Sequence, residues 1–186
     1  RQHAWLVFDG LDLNAVIHLN GQEIGTHSNA YTPRRIDVTG KLREGENTLA
    51  IVIESGLYGV SEKPGTGYNS GMDHCIHKRA WQRKPQYSFS WDWNPRLVNV
   101  GIWRPVSLQW TDTLRLAEVV VTTTVQPDNT TGVVRATAHI DRRAGMPEDA
   151  VLTLTVDGLA ETSAVLSALP EGVSTHALEV HIPDAP

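Results

Sequence analysis

At 186 residues, the chain has room for one large domain or two small ones, and either can bury a core. Its 40% hydrophobic and 20% charged residues are those of an ordinary globular protein. A formal net charge of −5 argues against a nucleic-acid partner. No apolar run approaches the roughly 18–20 residues of a membrane span, so no membrane partner is expected either.

The single cysteine, Cys75, excludes an internal disulfide framework. No charged n-region or apolar h-region opens the chain, so no signal peptide is visible. The sequence starts at Arg1 as though cut from something longer, and a cytoplasmic location is the expectation.

In chain order, short alternating runs between turn residues dominate, which is the pattern of an antiparallel all-β protein. Residues 5–8 read as a strand ending at Asp9-Gly10. In the run 15–19, Ala15, Ile17 and Leu19 share one face, with Val16 and His18 on the other. Asn20-Gly21 follows, and residues 22–25 resume the strand pattern. Asn-Gly between two such runs predicts a tight hairpin, because both turn positions tolerate positive φ. Further strands are expected over 34–39 and 48–54. Residues 55–85 have many glycines and no sustained period, and connections this long are usually functional or mobile. Strands are expected again over 86–90 and 104–110, the latter with Val106, Leu108 and Trp110 on one face.

Composition shifts near residue 112, beyond which there are no tryptophans. Runs at 117–125, 133–141, 150–157, 162–166 and 177–182 follow a regular rhythm. Val134, Ala136, Ala138 and Ile140 alternate with Arg135, Thr137 and His139, as in a half-buried strand. Strands at this spacing predict a small sandwich of immunoglobulin type without its cysteine pair. No convincing helix is expected anywhere.

The stretch "QYSFSWDWNPRL" carries the clearest chemical suggestion. With Trp81 and Trp103 nearby, four of the six tryptophans lie in one short window. Indole faces suit the C–H faces of sugars, and the carboxylate of Asp92 can accept hydrogen bonds from neighbouring hydroxyls. In a regular strand Trp91 and Trp93 share a face and Asp92 points away, so all three line one site only if the chain bends at Asn94-Pro95. The competing reading is that the tryptophans are core and Asp92 bonds a loop backbone. On residue types alone both stand, and tryptophan is more often packed than functional.

Asp73, His74, Cys75 and His77 are all metal-ligand types, but adjacent ligands rarely converge on one ion, so neither metal nor cofactor is expected. Asn129 opens a formal glycosylation sequon, meaningful only in a secreted protein. There is no nucleophile elbow, zinc-protease motif or phosphate-binding loop. None of the 21 acids sits in a recognisable catalytic setting.

Three segments in order resemble glycoside hydrolase family 2, most closely its β-mannosidase branch. The first, residues 8–55, holds "FDGLD", "AVIHLNG", "DVT" and "GENTL". The second, residues 83–97, is "RKPQYSFSWDWNPRL". The third, residues 101–108, is "GIWRPVSL". The resemblance implies an all-β chain with two domains. Residues 1–112 would be a sugar-binding, galactose-binding-like jelly roll lacking its first strands. Residues 113–186 would be an immunoglobulin-like sandwich lacking its last strand.

A catalytic (β/α)8 barrel of the parent chain would follow, carrying the two glutamates of a retaining exo-β-glycosidase. The resemblance makes Asp92 a hydroxyl-binding carboxylate in a pocket shaped by Trp91 and Trp93, with a terminal β-mannoside or related sugar as partner. Arg83 and Lys84 are expected to support the loop rather than touch sugar. Asn94 stands where β-mannosidases usually have glycine, which also resembles exo-β-glucosaminidases of the family; β-galactosidase is a further alternative. A free-standing carbohydrate-binding module and a ligand-free structural sandwich are the readings from other classes. Missing edge strands would favour a homodimer of the fragment.

Overall fold

The structure, a computed structural model, describes residues 3–65, 78–89, 95–111, 114–127, 130–145 and 149–183. Trp91, Asp92, Trp93 and Asn94, the 73–77 run and Asn129 lie outside the described residues. The described elements are thirteen β-strands and three short 3-10 turns, so the protein is all-β, as the alternation predicts. The chain divides into two compact units, Arg1–Trp110 and Thr111–Pro186.

The first unit is built from β1 (His3–Phe8), β2 (Leu11–Asp12), β3 (Asn14–Leu19), β4 (Gln22–His27), β5 (Arg34–Asp37), β6 (Leu49–Glu54), β7 (Gly101–Ile102) and β8 (Val106–Thr111). They form sheets ordered β5-β1-β8, β4-β3-β6 and β2-β7. The strict alternation of β3 buries Ala15, Ile17 and Leu19 against Ala4, Leu6 and Phe8 of β1 and Ile36 and Val38. Each fully buried large side chain, such as Phe8 or Ile17, contributes about 1.5–3 kcal/mol relative to exposure.

The β3–β4 hairpin turns at Asn20 and Gly21, whose φ values of 53° and 82° are both positive, as the two-residue turn requires. Asn20 also reaches across to the β5–β6 connection. Its Nδ2 donates to Asn47 Oδ1 at 2.9 Å, and its Oδ1 accepts from the Thr48 amide at 3.0 Å. The asparagines of "LNG" and "GEN" thus fasten two turns to each other.

The second unit holds β9 (Arg115–Val125), β10 (Gly132–Arg142), β11 (Ala150–Val156), β12 (Ala160–Leu166) and β13 (Gly172–Ile182). β10 runs between β13 and β9, and β11 pairs with β12. Ala136, Ala138 and Ile140 of β10 are buried, with Leu178 and Val180 of β13. Buried Asp141 is met by Arg115 Nη2 at 2.9 Å and Arg143 Nη2 at 3.6 Å.

One expectation changes. Over its described part, the strand expected at 86–90 is a 3-10 turn, Gln86–Phe89, closed by the Ser88 amide donating to the Pro85 carbonyl at 3.1 Å. Ser88 and Phe89 are buried side by side, which a period of two cannot do. In β8, Val106, Leu108 and Trp110 form one stripe, as read from the sequence, and all three are exposed.

Candidate functional site

The "FDG" turn and the "GIW" strand meet directly. β2 pairs antiparallel with β7, Leu11 opposite Ile102, and the Trp103 amide donates to the Gly10 carbonyl at 3.2 Å. The Trp103 indole lies so close to Gly10 that a Cβ there would stand 2.6 Å from Nε1. Only glycine permits this approach. The Arg104 guanidinium sits 4.4 Å from the ring centroid and holds the indole by a cation–π contact.

Lys84 joins this pair to the third motif. Its side chain is fully buried, and Nζ lies 2.5 Å from Asp12 Oδ1, the second acid of "FDGLD". The same ammonium donates to the Asn99 carbonyl, fifteen residues along the chain. A buried ammonium persists only with such partners, so Lys84 is a joint rather than a ligand group. Arg83 contributes backbone, its carbonyl accepting from the Ala30 amide at 2.8 Å. Gln86 Nε2 donates to the carbonyls of Arg79 and Lys84 at 3.1 and 3.2 Å. Phe89, fully buried, anchors the turn from below.

Above the joint opens a recess of about 320 Å³ walled by Tyr31, Tyr87 and Trp103, with Asp12, Ser88 and Asn99 supplying polar atoms. Tyr31 is held by its amide donating to Asn29 Oδ1 at 3.0 Å. Exposed aromatic walls with a few polar groups suit a sugar ring. Of these walls the sequence singled out Trp103 alone. Tyr87 stands inside the stretch already suspected, but Tyr31 has no local signal, being brought in by the bridge between Asn29 and Arg83. Among the described residues no cluster of His, Cys, Asp or Glu could hold a metal ion. None of their helices is long and apolar enough to cross a membrane.

Residues 1–104 match the family described as glycosyl hydrolase 2 galactose-binding domain-like, and the chain belongs to that family. It is 35% identical over 145 residues to beta-mannosidase B of Thermothelomyces thermophilus, covering 76% of this chain and 17% of that protein. Against beta-mannosidase B of Aspergillus fumigatus it is 29% identical over 181 residues, 96% of this chain and 21% of the relative. The crystal structure of beta-D-mannosidase from Dictyoglomus thermophilum superposes with a TM-score of 0.78 at 28% identity, covering 98% of this chain and 22% of the other. The chain therefore spans about a fifth of the length of the relatives it matches.

Proposed function

We propose that the chain is the accessory sugar-binding region of a retaining exo-β-mannosidase. Residues 1–112 are the jelly-roll domain, residues 113–186 the immunoglobulin-like sandwich, and a barrel elsewhere in the parent protein supplies the catalytic glutamates. Trp91, Asp92 and Trp93 form one lip of the pocket for the terminal sugar. The observation that carries this reading is the Lys84 joint. It ties both ends of the 85–98 segment to the "FDGLD" turn, which suits a segment that must be presented in a fixed place. Likeness to three mannosidases supports the same sugar class.

The region's contribution is orientation: it holds the non-reducing sugar while the barrel protonates and displaces the glycosidic oxygen. Asp92→Ala in the full-length protein is expected to lower kcat/KM on an aryl β-mannoside by about 10²-fold, the cost of a lost charged hydrogen bond at a reacting sugar. Unchanged kcat/KM would overturn the role. Asn94 bears on which sugar is preferred, and parallel assays on the aryl β-glucosaminide and β-galactoside decide it. The exposed Val106, Leu108 and Trp110 stripe also suits self-association of this chain, and light scattering on a Trp110→Glu variant should read a smaller species than the parent chain.

A further inference from the structure

Of the chain's asparagines, Asn20 alone is followed by glycine. An asparagine carboxamide is open to attack by the backbone nitrogen of the next residue, and glycine, with no Cβ, obstructs that approach least. Gly21 is exposed, and nothing stands within 4 Å of the place its Cβ would occupy. What the reaction needs besides is a free Asn20 side chain, and the fold withholds it.

The Asn20 side chain is turned onto the β5–β6 connection. Its Nδ2 donates to Asn47 Oδ1 at 2.9 Å and to the Lys41 carbonyl at 3.5 Å, and its Oδ1 accepts from the Thr48 amide at 3.0 Å. The Asn20 backbone amide closes the same clasp, donating to the Thr48 carbonyl at 2.8 Å. Asn47 is itself held in one orientation. Its Oδ1 also accepts from the Arg43 amide at 2.9 Å, and its Nδ2 donates to the carbonyls of Arg43 and Gly45 at 2.9 and 3.3 Å. A carboxylate at position 20 would therefore face two acceptors, Asn47 Oδ1 and the Lys41 carbonyl, where the amide makes two hydrogen bonds. The clasp accepts the amide and rejects the acid.

We propose that Asn20-Gly21 is a site of spontaneous covalent modification gated by the Asn47 clasp. When the clasp opens, the Gly21 backbone nitrogen attacks Asn20 Cγ. A bond forms between that nitrogen and Cγ, the Cγ–Nδ2 bond breaks, and Nδ2 leaves as ammonia with the proton the Gly21 nitrogen gives up. Water then opens the cyclic imide at either carbonyl, giving aspartate or its β-linked isomer. The net change is amide plus water to carboxylate plus ammonium. Because the acid cannot re-form the clasp, each opening that reacts is permanent, and the β3–β4 hairpin loses its tie to the β5–β6 connection. The inference uses no feature of the mannosidase reading.

Its test is peptide mapping by mass spectrometry of the 186-residue chain after incubation in mildly alkaline buffer, reading conversion of amide to acid at each asparagine. The folded chain is compared with the chain unfolded in guanidinium chloride. Unfolded, Asn20 should convert faster than every other asparagine. Folded, it should convert at least about tenfold more slowly, because only the opened fraction reacts. Asn47→Ala removes an acceptor of Nδ2 and should raise the folded-state rate about five- to thirtyfold, through the larger opened population. Ile36→Val weakens the same unit in its core and leaves the clasp alone, so its rate should stay within about twofold of the parent chain. Asn20→Asp mimics the product, and hydrogen exchange at its position-20 backbone amide should be about tenfold faster.

Equal rates in the folded and unfolded chains would overturn the gate, and this comparison needs no variant to fold. Faster conversion at another asparagine in the unfolded chain would overturn the site. A folded-state rate unchanged by Asn47→Ala, or raised as much by Ile36→Val, would overturn the role of the clasp. Unchanged exchange in Asn20→Asp would overturn its permanent loss.

Discussion

The two units hold their strands in different ways. In the first, side chains far apart in sequence fasten the turns: Asn20 to Asn47, Lys84 to Asp12, and the Trp103 indole onto Gly10. In the second, β9, β10 and β13 are each eleven residues long, and Arg115 of β9 meets buried Asp141 of β10. Its order comes from long ladder pairing, unbroken between β10 and β13 and interrupted between β10 and β9 by one register shift at His139/Ile140, over buried residues such as Ala138, Ile140 and Val180. Long ladders need only alternation and register, whereas short strands such as β2 and β7 need external fasteners. The residues that make the first unit recognisable as a family member are largely those fasteners.

That contrast can be broken by substitution, with unfolding followed separately for each unit. Lys84→Ala should have the largest effect, destabilising the first unit by about 3–5 kcal/mol because Asp12 is left without its buried partner. Urea unfolding that moves the second unit equally would refute the separation. Ile140→Ala should cost the second unit about 2–4 kcal/mol through the cavity left behind, with no change in the Trp103 environment read by fluorescence.

Asn47→Ala should cost the first unit about 1–2 kcal/mol, since the Arg43 amide and Asn20 Nδ2 both lose their acceptor. A double-mutant cycle with Asn20→Ala should show strong coupling, and simple additivity would mean the two turns are not fastened through this pair. Val165→Thr, on an exposed face opposite Val151, should change the second unit by less than about 0.5 kcal/mol.

Much of the fold was legible because its signals are local. Alternation at Ala15, Ile17 and Leu19 and the Asn20-Gly21 pair needed no knowledge of the rest of the chain. β2 and β7 were not legible, since two residues cannot display a period. The turn at Gln86–Phe89 was read as strand because the cause lies elsewhere. Pro85 offers a carbonyl but no amide, and Lys84 is drawn inward to Asp12, seventy-two positions away. The recess was only partly visible for the same reason, Tyr31 reaching it through the bridge between Asn29 and Arg83. For Trp91, Asp92 and Trp93, residue chemistry left sugar wall and core both open, the resemblance favoured the sugar wall, and the Asp92→Ala assay tests it.

The two contacts of the Lys84 ammonium have an evolutionary reading. By gripping Asn99 as well as Asp12, one side chain closes the intervening segment at its base. The entropic cost of closing a loop grows only slowly with its length. The ends of the segment between Lys84 and Asn99 are thus held by the frame, and apart from buried Ser88 and Phe89 its sequence should be free to change while the sheets keep their register. Transplanting the equivalent segment from a relative of other sugar preference, with Lys84, Ser88, Phe89, Asp12 and Asn99 retained, should leave the melting temperature within about 4 °C, a stability change below about 1 kcal/mol. A collapse of the first unit in that chimera would mean that the segment's own sequence, rather than its clamp, holds the frame.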